Sequence, residues 1–265
     1  AVYVPEIETA PFTRFSKSMT VSKYQITQGI LNRMNNPALS PCGYSGDSPF
    51  FEPAFADMLS RDRNFFETVR KNAPDRGTRK GIQFIWSFDS PKTANRNISG
   101  VTDLYWPAFV CHDILGNMGF ACAYDENKIK FLAGDSVRSL KKEYIEEILS
   151  KALVLDAYAG KALIEMGYGE LIGCAIKGNI TGFGSEKCIS DEYFGSYKDT
   201  FIPLKNLDFN GVFEIIPNKN AVEISYIADN DLERICAGVV LFQNKFGGKI
   251  AVLPYSISAM EHILI

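Results

Sequence analysis

The sequence is poor in the residues that most often carry chemistry. Its 265 residues include two histidines, His112 and His262, far apart and without ligand spacing. A zinc site draws three or four ligands from closely spaced Cys and His, so no metal is expected. No two of Cys42, Cys111, Cys122, Cys174, Cys188 and Cys236 form a CxxC pair. Cys111, Cys122, Cys174 and Cys236 sit in apolar surroundings and read as buried free thiols. GxGxxG and GxxxxGK[ST] are both missing, so a nucleotide has no motif to hold it and no cofactor is expected. A net charge of −3 gives no electrostatic reason to expect nucleic acid or an anionic membrane. No apolar run approaches the roughly 20 residues that cross a bilayer. The opening AVYVPEIETA lacks a basic region followed by an apolar stretch, so no signal peptide is visible. Cytoplasm and periplasm both stay open.

What is present is a strongly patterned α/β region from Ile129 to Gly173. Ile129, Phe131 and Leu132 supply a short strand that ends at Gly134-Asp135. Leu140, Tyr144, Ile145, Ile148 and Leu149 recur at three- and four-residue steps, with Lys141, Lys142, Glu143, Glu146 and Glu147 on the other face. Either Asp135 or Ser139 could cap that helix, although Lys142 weakens a capping box. ALVLD (152 to 156) is continuous and apolar, as a buried parallel strand should be. Asp156 then reads as a helix cap or turn residue, and Leu163, Ile164 and Met166 build a helix that Gly167 can end.

Upstream, residues 1 to 73 read strand, helix, short strand, helix. A helix is expected from Phe15 to Met34, with Phe15, Met19, Ile26, Ile30 and Met34 near one stripe. A second begins near Pro53, with Phe55, Met58, Leu59, Phe65, Phe66 and Val69 as its apolar face. Arg14, Arg33, Arg61, Arg63, Arg76 and Arg79 read as a solvated basic face offset by nearby acids. The polar segment 72 to 81 is the best boundary. After it come the strand IQFIW (82 to 86), a helix-like WPAFVCHDILGNMG (106 to 119) and the strand FACAY (120 to 124). Trp86 and Trp106 flank the polar loop 87 to 105, where core packing outweighs sugar stacking. After Gly173 a glycine-, serine- and charge-rich stretch reads as a long excursion. From Phe201 the signals are β, and GVVLFQN with KIAVLPY forms the clearest hairpin. The fold class is therefore α/β. Three parts are expected: 1 to 76, 77 to 175 extending into 176 to 200, and a β-rich 201 to 265.

For chemistry, Glu6 and Glu8 share one face of the first strand by the period-2 rule. They are either solvated carboxylates or groups delivered to a site at a barrel strand's end. A Ser or Cys nucleophile at the turn after LVLD is absent: residues 156 to 160 are Asp-Ala-Tyr-Ala-Gly, with neither a Cys nor GxSxG.

Three stretches resemble known families. EIETAPFTRFSKS is similar to the segment near the seventh barrel strand of bacterial β-galactosidase-like glycoside hydrolases. LAGDSVRSL and ALVLDAYAGKALIEMGYGELIG resemble the class I glutamine amidotransferase-like domain that follows the barrel in those proteins. That domain is similar to the trimerisation domain of glycoside hydrolase family 42. QNKFGGKIAVLPY resembles a further stretch of them. The resemblance implies a flavodoxin-like or Rossmann-like amidotransferase-like domain without a catalytic triad, preceded by the last two βα units of a TIM barrel whose first six are absent. It also implies that Glu6 or Glu8 lies near the retaining nucleophile, that a carbohydrate is the substrate of the full-length protein, and that the chain assembles as a homo-oligomer, trimer or dimer. By it, the chain is the C-terminal part of a glycoside hydrolase and is inactive alone. The alternatives are a non-enzymatic carbohydrate-binding or oligomerisation module, and a diverged class I amidotransferase or peptidase.

Overall fold

A computed structural model describes residues 6–8, 17–34, 37–40, 48, 50, 53–75, 80–93, 115, 120–123, 126–204 and 211–255. Apart from Leu115, which is helical, the expected helix 106–119 lies outside the described set, as do Cys42, Phe15, Arg14, Arg76, Arg79 and His262. The chain divides into two units, Ala1–Arg79 and Lys80–Ile265. The division falls inside the polar segment 72–81.

In the first unit β1 (Glu6–Glu8) pairs in parallel with β2 (Ala38–Ser40), joined through α1 (Met19–Leu31). Ser18 starts that helix by accepting the Val21 N–H at 3.2 Å, which satisfies one of the first-turn donors. The expected second helix is two, α2 (Pro53–Arg61) and α3 (Arg63–Asn72). Asp62 stands at the break, with its carboxylate 3.2 Å from Lys23 of α1. Ile7, Ile26, Phe55 and Met58 are buried together, with Met19, Ile30, Leu39, Leu59 and Phe66 packed around them. Phe65 and Met34, expected on the apolar faces, are exposed. Arg33 is not a solvated cation either. It adopts a positive φ of 52°, and its guanidinium donates to the carbonyls of Arg70, Ala73 and Pro74 at the end of α3. A cation there satisfies carbonyls that the helix leaves unpaired and complements its dipole.

The second unit holds two sheets. In the first, β3 (Ile82–Phe84), β4 (Cys122–Ala123), β5 (Ile129–Leu132), β6 (Ala152–Leu155) and β15 (Lys249–Val252) run parallel in the order β4-β3-β5-β6-β15. This is the flavodoxin-like strand order. β14 (Val240–Gln243) and β11 (Val222–Glu223) extend its edge in antiparallel fashion. The second sheet is antiparallel. It comprises β7 (Cys174–Asn179), β8 (Phe183–Cys188), β9 (Phe201–Pro203), β10 (Phe213–Pro217), β12 (Ser225–Asp229) and β13 (Arg234–Ala237), in the order β7-β10-β13-β12-β8-β9. The strands from residue 201 onward thus serve both sheets, and β14 and β15 close the parallel one. The stretch after Gly173, expected as an excursion, carries two six-residue strands and α7 (Asp191–Phe194). Its glycines masked the alternation that buries Cys174 and Ile176 but exposes Ala175 and Lys177.

Helices α4 (Ser90–Thr93), α5 (Lys142–Leu149) and α6 (Ala157–Leu163) accompany the parallel sheet. α5 buries Ile145, Ile148 and Leu149, as its periodicity predicts. Neither Asp135 nor Ser139 caps it. Both lie in a 3-10 turn over Gly134–Ser139, the Ser139 hydroxyl donates to the Ser136 carbonyl, and α5 opens at Lys142 with no side-chain cap. α6 buries the small residues Ala157, Ala159, Gly160 and Ala162, with Leu163 at its end. The antiparallel sheet packs there through Ile176, Phe213 and Ile215, in one core with Leu153, Leu155 and Leu163. A Cβ on Gly160 would lie 2.5 Å from Ile176 Cδ1, so the glycine lets that side chain lie against the helix without shifting. Beyond α6, Gly167 takes a φ of 93° and ends the helical run.

Candidate active site

The turn from β6 into α6 is where a doubly wound domain of hydrolytic type would present a nucleophile. Asp156 occupies it, fully buried. Its Oδ1 accepts the Ala159 N–H at 2.8 Å and the Gly134 N–H at 2.9 Å. The first bond caps α6, as the sequence predicts. The second ties that cap to the turn after β5, where Gly134 holds a φ of 67°. The backbone of Asp156 is relaxed and extended, φ −76° and ψ 167°, unlike the strained elbow that lifts a nucleophile into solvent. Both amides converge on one oxygen of a buried carboxyl, the geometry of a helix cap.

The second place to look is the crevice at the carboxyl ends of β3 and β5, where the strand order reverses. Here the chain fills its own opening. α4, which follows β3, packs on the Gly134–Ser139 turn that follows β5, and Ser90 at its start is buried. Trp86 meets Phe88 edge-on, with centroids 4.3 Å apart, and Phe88 remains 80% exposed.

Glu6 and Glu8 lie on β1, level with Ala38 and Ser40 of β2. Glu6 is exposed, and Ile7 beside it is buried.

The sequence reading passed over two buried polar groups. Lys130 and Gln83 each interrupt an apolar strand. Their register makes them neighbours on β5 and β3. Lys130 Nζ donates to Gln83 Oε1 at 2.7 Å and to Glu126 Oε1 at 2.5 Å, with the Lys130 side chain fully buried and that of Glu126 67% exposed. Gln83 Oε1 also accepts the Asn127 N–H. Lone polar residues at matching depth in two buried strands are the signal that would have found this pair. The network lies toward the amino ends of the strands, away from the ligand-bearing edge, and satisfies its own atoms. The other group is Glu186 on β8, buried beside Ser225 of β12.

Among the described cysteines, Cys122, Cys174, Cys188 and Cys236 are free. Burial pushes the Cys174 thiol up to about 12, far from the thiolate a nucleophile needs. No cluster of three or more His, Cys, Asp or Glu that could hold a metal ion occurs among the described residues. No described helix is long and apolar enough to cross a membrane.

The chain matches no protein-family model and no curated protein significantly. Among solved structures it is similar to a glutamine amidotransferase from Thermotoga maritima, at 11% identity over 66% of this chain and 74% of that one, with a TM-score of 0.34. That likeness is too slight to carry an argument about activity.

Proposed function

We propose that the second unit is a diverged class I amidotransferase-type domain that has given up glutamine hydrolysis and serves as a scaffold for assembly. The observation that carries this reading is Asp156. It stands where the nucleophile would be, and it is buried, hydrogen-bonded to two amides and relaxed in backbone. The residues that carry the sequence resemblance support it, because each has an architectural task. Gly134 and Asp156 bind each other, Gly160 admits Ile176, and Gly173, at a φ of 84°, lies where a Cβ would strike the Phe242 ring. The test is ammonia release from glutamine by the full chain. No turnover above that of an Asp156→Ala variant is expected, and turnover that this substitution abolishes would refute the reading. Light scattering reads the assembly role, with a trimer or dimer expected and a monomer at micromolar concentration counting against it.

A second reading concerns the larger protein: a β-galactosidase-like hydrolase of carbohydrate, with Glu6 or Glu8 as nucleophile. What favours it is the parallel β1–α1–β2 unit, the repeat from which a barrel is built. Retaining hydrolysis needs a second carboxyl group about 5–5.5 Å away, which the resemblance assigns to an earlier barrel strand. The 265-residue chain is therefore expected to leave nitrophenyl galactoside intact. Turnover that vanishes in a Glu6→Gln, Glu8→Gln double variant would overturn this.

A further inference from the structure

Twice the chain crosses between the two sheets by way of one or two residues. Ile224 separates β11 of the parallel sheet from β12 of the antiparallel one, and Gly238-Val239 separate β13 from β14. The two crossings lie side by side: Ile224 N–H donates to the Val239 carbonyl at 3.0 Å, and Gly238 N–H to the Ser225 carbonyl at 2.8 Å. A polar clasp closes over them. The Ser225 hydroxyl accepts the Val239 N–H at 2.7 Å and donates to Glu186 Oε1. Ile189 N–H holds the Ile224 carbonyl from the end of β8. Gly238 makes room for the clasp, since a Cβ there would lie 2.4 Å from Ser225 Oγ and 2.9 Å from Glu186 Oε1.

Among the described residues, none forms an ion pair with Glu186. In register it stands between Ile202 of β9 and Ile227 of β12, and Cys236 of β13 follows in the same row. The titratable groups on this face are thiols and a phenol: Cys188 two residues along β8, Cys236, and Tyr255 packed against Ile227 and Cys236. Asp229, at the far end of β12, accepts the amides of Asp231 and Glu233. The cations nearby are committed elsewhere, Lys187 to Asp199 at 3.2 Å and Arg234 to Glu223 at 2.8 Å. β9 has no ionisable side chain. An anion in this position would have one hydroxyl and an amide in place of water.

We propose that the buried Glu186 carboxyl is the clasp at the junction of the two sheets, and that placing a negative charge on it loosens both crossings and uncouples the antiparallel sheet from the parallel one. Burial pushes its carboxyl above the usual glutamate range, against the pull of the Ser225 hydroxyl and the Val239 amide, which favour the anion. With the folded-state value raised, the folded protein binds the extra proton. Stability is therefore fully present below the unfolded-state value and is lost as pH rises toward the folded one. The scaffold then responds to alkali at one residue.

The experiment uses the full chain and two measurements. Carboxyl-carbon NMR of protein labelled with 13C-glutamate should show one glutamate, absent from the Glu186→Gln spectrum, titrating at higher pH than all the others, and a native state in which every glutamate titrates together overturns the proposal. Urea unfolding from pH 5 to 9 should show the wild-type unfolding constant rising up to tenfold per pH unit relative to Glu186→Gln, until the carboxyl ionises. Parallel profiles for the two proteins overturn it. If Glu186→Gln does not fold, the carbon titration of the wild type decides alone.

Discussion

Asn244 offers the sharpest test of how this domain is held together. It opens the turn between β14 and β15, is 5% exposed, and uses both ends of its side-chain amide. Nδ2 donates to the carbonyls of Leu149, at 2.9 Å, and Leu171, at 3.2 Å. Oδ1 accepts the N–H groups of Phe246, at 3.0 Å, and Gly248, at 3.1 Å. The orientation is forced, because two carbonyls face one end and two amide protons the other. Leu149 ends α5, so one bond also supplies a carbonyl the helix leaves unpaired. At about 0.5–1.5 kcal/mol net per bond, losing all four in Asn244→Ala should cost about 2–6 kcal/mol, a large share of the stability of an ordinary domain. Asn244→Asp is more telling. It is nearly isosteric and keeps both accepting contacts, but it points a carboxylate oxygen at two carbonyls. Its folded-state pKa must rise, so the penalty should be small near pH 4 and grow with pH above the ordinary aspartate value. At pH 7 the loss should reach about 3–5 kcal/mol, the range for an uncompensated buried charge. Urea denaturation followed by circular dichroism at pH 4.5 and 7 reads both variants. An Asn244→Asp protein within 1 kcal/mol of wild type at both pH values would refute the reasoning.

Three further outcomes follow from the same geometry. Asp156→Ala removes the α6 cap and strands the Gly134 amide, at a cost of about 2–3 kcal/mol by urea midpoint, whereas Asp156→Asn retains an accepting oxygen and should lose about 1 kcal/mol. An Asn variant as unstable as the Ala variant would show that the charge, not the cap, matters. Gly248→Ala forces a Cβ to within 1.9 Å of the Leu149 carbonyl oxygen and should lower stability by about 1–3 kcal/mol, read as a drop in melting temperature. In native protein at pH 8, Cys174, Cys188 and Cys236 should resist iodoacetamide while half-buried Cys122 is slowly modified, as mapped by mass spectrometry. Rapid labelling of Cys174 would contradict its burial.

The elements that were legible in the sequence are those whose pattern is local. The periodicity of 140–149, the apolar run 152–155 and the Gly-rich hairpin each announce themselves within a dozen residues, and each is found. Asp156 was legible as a cap because capping is a local bond. What was hidden is what depends on distant partners. KIAVLPY shows as the second strand of a hairpin, but nothing in it shows that its other edge pairs with β6. Arg33 reads as one more exposed cation until α3 ends beside it. Glu186 sits in a stretch so rich in glycine and charge that its strand escaped notice, and its burial is decided by β12 and the crossings. Asn244 and Gly248 belong to a recognisable motif, yet their task became visible only when the Leu149 carbonyl was in place.

The position of β15 has a consequence during synthesis. β6 gains its outer neighbour only when Lys249–Val252 has been made, after every strand of the antiparallel sheet has been synthesised. At about 5–20 residues per second, the interval spans on the order of ten seconds. Throughout it a fully apolar strand presents an unpaired edge, the feature that invites pairing with a neighbouring chain. The antiparallel strands, with their nearer partners, can form in the meantime and cover α6, leaving the parallel sheet one strand short until the end. Chaperone dependence in this protein should therefore concentrate in that interval, and nascent chains halted between residues 160 and 245 should be the ones that aggregate.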